Sequence, residues 1–130
     1  MNEALIHKSF EEQGLMKTLG AKLMEVKPGF VKIECPFGPH LTQQNDFFHA
    51  GAITSVVDVA CGYAARSLMS ENSDVLSVEF KMNLMRPASC AKIIAIGKVV
   101  KAGRTLTFCE GQVFNEDESK LLATMSATMI

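Results

Sequence analysis

The stretch from His49 to Met69 limits what this chain can become more than any other part of it. It is rich in Ala, Gly and Val, contains no proline, and is bounded by Asn72-Ser73-Asp74. It is long enough for a helix of about six turns. The second half of the chain changes period. From Val75 to Met85, Leu76, Val78, Phe80, Met82 and Leu84 fall on one face of a strand, and Ser77, Glu79, Lys81 and Asn83 on the other. Cys90–Val100 and Thr105–Phe114 read as strands joined by the hairpin signal Lys101-Ala102-Gly103-Arg104. Lys120–Met129 reads as the last strand, after the polar turn Asn115–Ser119. Before the long helix, Asn2–Gln13 reads as a short helix ended by Gly14. Leu15–Glu25 and Phe30–Pro36 read as two strands around the Lys27-Pro28-Gly29 turn. Short turns imply antiparallel pairing. One long apolar helix and one large antiparallel sheet can bury themselves only against each other, so the expected class is α+β in two layers.

A chain of 130 residues, 48% hydrophobic and 21% charged, makes one domain with a real core and is not disordered. Thirteen basic and fourteen acidic side chains leave a net charge of -1. That removes the electrostatic case for non-specific nucleic-acid binding and for an anionic membrane surface. No run of 18 apolar residues suggests a membrane span. Met1–Lys8 has an acid where a signal peptide would be apolar. Cys35, Cys61, Cys90 and Cys109 form no C-x-x-C motif and no zinc-ligand spacing with histidine, so no metal site is expected, and 130 residues leave no room for a separate cofactor domain. Four free, buried thiols in a cytoplasmic protein are the expectation.

Asp58 lies mid-helix, and on a helical wheel Gly51, Thr54, Ser55, Cys61, Gly62 and Ala65 surround it. Ile53, Val56, Val57, Ala60, Tyr63 and Ala64 take the opposite face and suit packing on a sheet. Small neighbours leave room for something to approach the carboxylate. Two readings fit Asp58: an acid satisfied by Thr54 or Ser55, or an acid with chemical work to do. His49-Ala50-Gly51 opens the helix, where free N–H groups and the positive end of the dipole suit an oxyanion; His49 also fits as a plain cap. Nine residues of helix separate His49 from Asp58 by about 13 Å and half a turn. If both act, two chains must meet across a two-fold axis.

The run His49-Ala50-Gly51-Ala52-Ile53-Thr54-Ser55-Val56-Val57-Asp58, followed by Gly62-Tyr63-Ala64-Ala65, resembles the signature of hotdog-fold acyl-CoA thioesterases of the PaaI-like, phenylacetate-pathway type. The likeness continues through Ser77–Ala88 and Gly103-Arg104-Thr105-Leu106, and covers the chain from about Gly14 onward. It implies a curved antiparallel sheet wrapped around one long central helix, in homodimers and commonly homotetramers. It implies hydrolysis of an acyl- or aryl-CoA thioester at the dimer interface, with that small molecule as the only other partner. By the same resemblance Asp58 matches the catalytic carboxylate, as general base or nucleophile, and His49 the helix-start histidine. The N–H of Ala50 matches the donor to the thioester carbonyl, where the family commonly has glycine, and Gly51 follows it. Ser77 matches a hydroxyl that positions water or carboxylate, although alternation puts it on the polar face of its strand.

The family often has Asn six residues before the histidine. Here that place is held by Gln43, with Asn45 as the second choice. For CoA the candidates are Arg86, Lys101 and Arg104, with Gly103 between the last two as a turn glycine. Two other readings remain open: a hotdog acyl-thioester hydratase or dehydratase, whose usual motifs are missing, and a non-catalytic acyl-CoA-binding module.

Overall fold

The computed structural model describes residues 1–130. The elements are α1 (Glu3–Glu11), α2 (Gly14–Leu19), β1 (Lys22–Lys27), β2 (Phe30–Pro36), a 3-10 turn at Pro39–Leu41, α3 (Ala50–Arg66), β3 (Ser77–Leu84), β4 (Lys92–Ala102), β5 (Thr107–Phe114) and β6 (Leu121–Met129). All six strands form one sheet in the order β1-β2-β4-β5-β6-β3, and every neighbouring pair is antiparallel. The single helix α3 packs against β2, β3, β4, β5 and β6. Only a sheet that curves around its helix brings so many strands to it, so the expected α+β hotdog arrangement is the one found.

The helix lies on the sheet through its small residues. Val56, Val57, Ala60, Cys61 and Ala64 are wholly inaccessible, as are Val31, Ile33, Ile93, Ala95 and Val113 on the strands beneath. Gly97 of β4 and Gly111 of β5 are directly opposite each other in the ladder, under the middle of α3. A Cβ on Gly97 would stand 2.4 Å from the backbone carbon and oxygen of Ala60. Glycine is required here because the helix backbone itself occupies the space a side chain would need.

Two expectations change at the N-terminal side. Leu15–Glu25 is not one strand. Gly14–Leu19 is the helix α2, and the strand starts only at Lys22. Gly20 ends α2 at φ 73°, with its N–H on Lys17 O and the Ala21 N–H on Met16 O, the paired bonds of a Schellman motif. Met16 and Leu19, three apart, are the buried side of this turn and a half. The first helix is shorter than Asn2–Gln13, because Asn2 is its cap and accepts the Leu5 N–H at 3.3 Å.

The long helix also ends early. It stops at Arg66, since Ser67 Oγ donates to Ala64 O at 2.6 Å while accepting the Gly29 N–H at 2.7 Å. Of the small residues around Asp58, Cys61 and Ala65 are buried completely. The accessible flank is Gly51, Thr54, Ser55, Asp58, Val59 and Gly62. No helix is long and apolar enough to cross a membrane.

The Gly97 contact generates a paired test. Gly97→Ala should cost about 1–3 kcal/mol by forcing helix and sheet apart. Gly62→Ala, on the same helix with nothing within 4 Å of a new Cβ, should gain up to about 1 kcal/mol from helix propensity. Urea denaturation midpoints of the two variants check this; equal shifts would contradict it.

Candidate active site

Asp58 is the central residue of α3, on its accessible flank, and is half-buried. Its partner is neither Thr54 nor Ser55; Ser55 Oγ instead donates to Gly51 O at 2.8 Å. The partner is Ser77, whose Oγ donates to Asp58 Oδ1 at 2.7 Å. The alternation of β3 had placed Ser77 away from the helix. A β-bulge reverses this. Ser77 is opposite Met129 and Glu79 is opposite Thr128, with Val78 the extra residue. The bulge shifts the pleat by one, so Ser77 shares the helix-facing side with Phe80, Met82 and Leu84. Asp58 also lines a cavity of about 310 Å³, together with Ser9, Gln13, Val59, Gly62, Tyr63 and the Asp74–Ser77 segment. Ser9 and Gln13 come from α1 and the α1–α2 junction. Sequence reasoning missed them, because the packing of that segment over Tyr63 is tertiary.

The other half of the expected site is elsewhere. His49 caps α3, with its Nδ1 accepting the Gly51 N–H at 2.7 Å. Gly51 has room for no more than this, since a Cβ there would sit 3.0 Å from that nitrogen. The N–H of Ala50, the first residue of the helix, is exposed and has no partner within the chain. It is the free donor at the positive end of the dipole. His49 and Gly51 line a separate cavity of about 370 Å³, shared with Leu15, Leu19, Leu41 and Ser55.

Strand register fixes which groups lie together. Ser77 pairs with Met129, Met129 with Thr107, and Thr107 with Ala102. Asp58 and Ser77 therefore share one end of the sheet with the β4–β5 hairpin, which carries Lys101, Gly103 and Arg104. Gly103 serves that hairpin through its N–H to Leu106 O at 2.8 Å, and a Cβ there would meet the same oxygen at 2.6 Å. At the opposite end Leu84 pairs with Ala123, Ala123 with Val113, and Val113 with Ala95. There the Phe48 N–H donates to Ala88 O at 3.1 Å and holds the start of α3 beside Arg86. Each chain thus carries a carboxylate end and a helix-start end, and does not bring them together. Arg86, Lys101 and Arg104 are all exposed.

Gln43 is half-buried and Asn45 exposed, and neither lines either cavity. Gln43 Oε1 accepts the backbone N–H groups of Asn45 and Phe47, which closes the loop in which Asp46 takes φ 65°. Only the amide nitrogen of Gln43 remains unspent.

Cysteine chemistry is disfavoured. Cys35, Cys61 and Cys109 are buried, and Cys90 is half-buried. Burial pushes the Cys35 and Cys109 thiols up to about 11 and raises Cys61 further, with Cys109 and Asp58 nearby adding to it. Cys90 is raised by burial first and by Glu116 second. All four stay as thiols at neutral pH and are poor nucleophiles. No three His, Cys, Asp or Glu side chains are placed to hold a metal ion.

Known proteins share this architecture. The thioesterase superfamily matches residues 45–122, which include the helix-start histidine, Asp58, Ser77 and most of the sheet. A thioesterase family protein from Silicibacter pomeroyi is 44% identical, with a TM-score of 0.92 over 96% of this chain and 93% of that one. The E. coli PaaI protein of the phenylacetic acid degradation operon is 18% identical and shares the fold, with a TM-score of 0.88 over 97% and 89% of the two chains. A curated Saccharolobus solfataricus protein, provisionally named an esterase, is 27% identical over 107 residues, 82% of this chain and 75% of its own. The chain belongs to the thioesterase superfamily and has the hotdog fold.

Proposed function

We propose that this thioesterase hydrolyses an acyl-CoA or aryl-CoA thioester to the free acid and CoA, with Asp58 as the catalytic carboxylate and each site shared by two chains. The observation that carries the reading is the Asp58–Ser77 pair. The serine holds one carboxylate oxygen of a residue that lines a cavity large enough for an acyl group, and leaves the other oxygen without a side-chain partner. As general base, Oδ2 takes a proton from water, and the oxygen so activated attacks the thioester carbon. The carbonyl oxygen becomes an oxyanion, and the C–S bond then breaks to release the CoA thiolate, which is protonated. As nucleophile, Oδ2 would attack the same carbon and form an anhydride that water opens. Either route needs a donor for the oxyanion, and the unpartnered Ala50 N–H supplies one, with His49 and Gly51 shaping the helix start around it. The reaction requires no metal or redox cofactor.

That donor must come from a second copy. The support is the edge strand β3. It ends the sheet and, with Leu76 just before it at 72%, exposes a run of large apolar side chains: Val78, Phe80 at 46% and Leu84. Such an edge is a template for pairing with another strand. Two β3 strands joined antiparallel about a two-fold axis set the Ser77 end of each beside the Leu84 end of the other. The carboxylate end of one chain then meets the helix-start end of its partner. Arg86 of one chain and Lys101 and Arg104 of the other would converge there on the CoA phosphates. A homotetramer would pair two such dimers. A cytoplasmic setting suits both the substrate and four free thiols.

Asp58→Asn should lower kcat by about 10²- to 10⁴-fold with the oligomer intact, and Ser77→Ala by about 10- to 100-fold. A panel of acyl- and aryl-CoA esters with a free-thiol readout measures both; an Asp58→Asn protein that turns over at the wild-type rate contradicts the reading. Phe80→Asp, which puts a charge on the pairing edge, should yield a folded monomer without hydrolysis. Light scattering beside circular dichroism checks this, and an active monomer would overturn the shared site.

A further inference from the structure

The accessible flank of α3 carries one polar side chain that neither the fold nor the hydrolysis uses. Thr54 is half-buried, and its hydroxyl bonds to nothing in its own chain. Its neighbours on the flank are spent: Ser55 Oγ donates to Gly51 O at 2.8 Å, and Asp58 Oδ1 accepts from Ser77. Thr54 also has a particular place in the shared arrangement. It lies four residues, about 6 Å, from Ala50 on one side and from Asp58 on the other, and steps of four keep all three on one helix face. A two-fold axis that sets the Ala50 N–H of each chain against the Asp58 of the other reverses α3 upon its copy. The residue that then faces itself is the one midway, and that residue is Thr54.

We infer that Thr54 is a positioning residue: it lies on the two-fold axis against the partner's Thr54, and this contact sets the distance between the two halves of each site. The inference rests on the shared thioesterase site and deepens it. A side chain on a two-fold axis meets its own copy, so a charged group there would face its own charge. A hydroxyl donates and accepts at once, and two of them can pair with each other. On this flank only Thr54 has a hydroxyl left for the purpose. The surrounding surface suits a close approach of the two helices, since Gly51, Ser55 and Gly62 are small and no lysine, arginine or glutamate occurs in α3 before Arg66. Thr54 touches neither substrate nor water. It acts through Ala50 and Asp58, by fixing how far apart the donor of one chain and the carboxylate of the other are held.

Cross-linking reads the axis directly. Thr54→Cys, treated with a short bismaleimide, should form covalent dimers about 10-fold or more faster than Gly62→Cys, because proximity sets the rate of the second alkylation. Gly62 shares the flank and has open space around it, yet it is eight residues from Thr54, so its two copies would stand about 24 Å apart. The wild type, with three buried cysteines and one half-buried, is the blank. Kinetics read the positioning. Thr54→Leu crowds the axis from both sides and should lower kcat by about 10- to 100-fold with KM changed less than about threefold, while Thr54→Ser keeps the hydroxyl and should restore kcat to within about threefold of wild type. The cross-linking stands as a test even if Thr54→Leu folds poorly. Gly62→Cys joining as fast as Thr54→Cys, or a folded Thr54→Leu protein with wild-type kcat, overturns the inference and leaves the thioesterase reading standing. Wild-type protein that hydrolyses no acyl- or aryl-CoA ester overturns both.

Discussion

The contact between Gly97 and Ala60 sets the height of α3 above the sheet, and most of the molecule follows from it. With no side chain at Gly97, and only Gly111 beside it, the helix backbone lies directly on the strands. Val57 and Cys61 reach over Gly111, and the core closes without a layer of bulky residues between helix and sheet. A helix held this low also brings its flank within reach of the sheet's edge. That is why a serine on β3 bonds an aspartate on α3. Raised by the width of a methyl group, Asp58 would lose that bond and become a partly buried acid with no partner, a costly arrangement. Packing in the middle of the sheet thus fixes the geometry of the candidate site at its margin.

The same straight helix keeps the two functional features apart. The positive end of its dipole and its carboxylate lie toward opposite ends of the sheet, each beside its own cavity. A small chain cannot fold back to unite them. The proposed two-fold axis along the edge strand does, and it would cover the apolar residues that β3 leaves open. One pairing thereby accounts for an exposed edge, an unpartnered N–H at Ala50 and two incomplete sites.

Much of this was legible in the sequence. The Pro-free run from His49, the β-branched strands and the Gly103 hairpin each carry a local signal, and together they specify the sheet and its helix. The Asp58 flank was readable from helical spacing, and the resemblance supplied the role proposed for its carboxylate. What stayed hidden depends on contacts made at a distance. The bulge at Val78 leaves no mark in the alternation of β3, and it alone turns Ser77 toward Asp58. The α2 turn was hidden because Leu15, Met16 and Leu19 also suit a strand; the left-handed Gly20 decides for the helix. Gln43 has the right position for an amide at the site, yet its oxygen is spent on its own loop. Helical spacing puts Cys61 and Ala65 on the open stripe, but the sheet curves far enough to bury them.

The shared site is the central claim, and mixed dimers test it most directly. Ala50→Pro removes only the free N–H. Proline is tolerated at the first helical position, and His49, at φ -63° and ψ 138°, already has the backbone that a following proline demands. Co-expression of Ala50→Pro with Asp58→Asn yields dimers in which one site carries both defects and the other carries neither. Two proteins that are inactive alone should together recover about a quarter of the wild-type rate, the share that random assortment across a two-fold axis allows. A mixture that stays as inactive as its parents would place both groups in the site of a single chain and contradict the account.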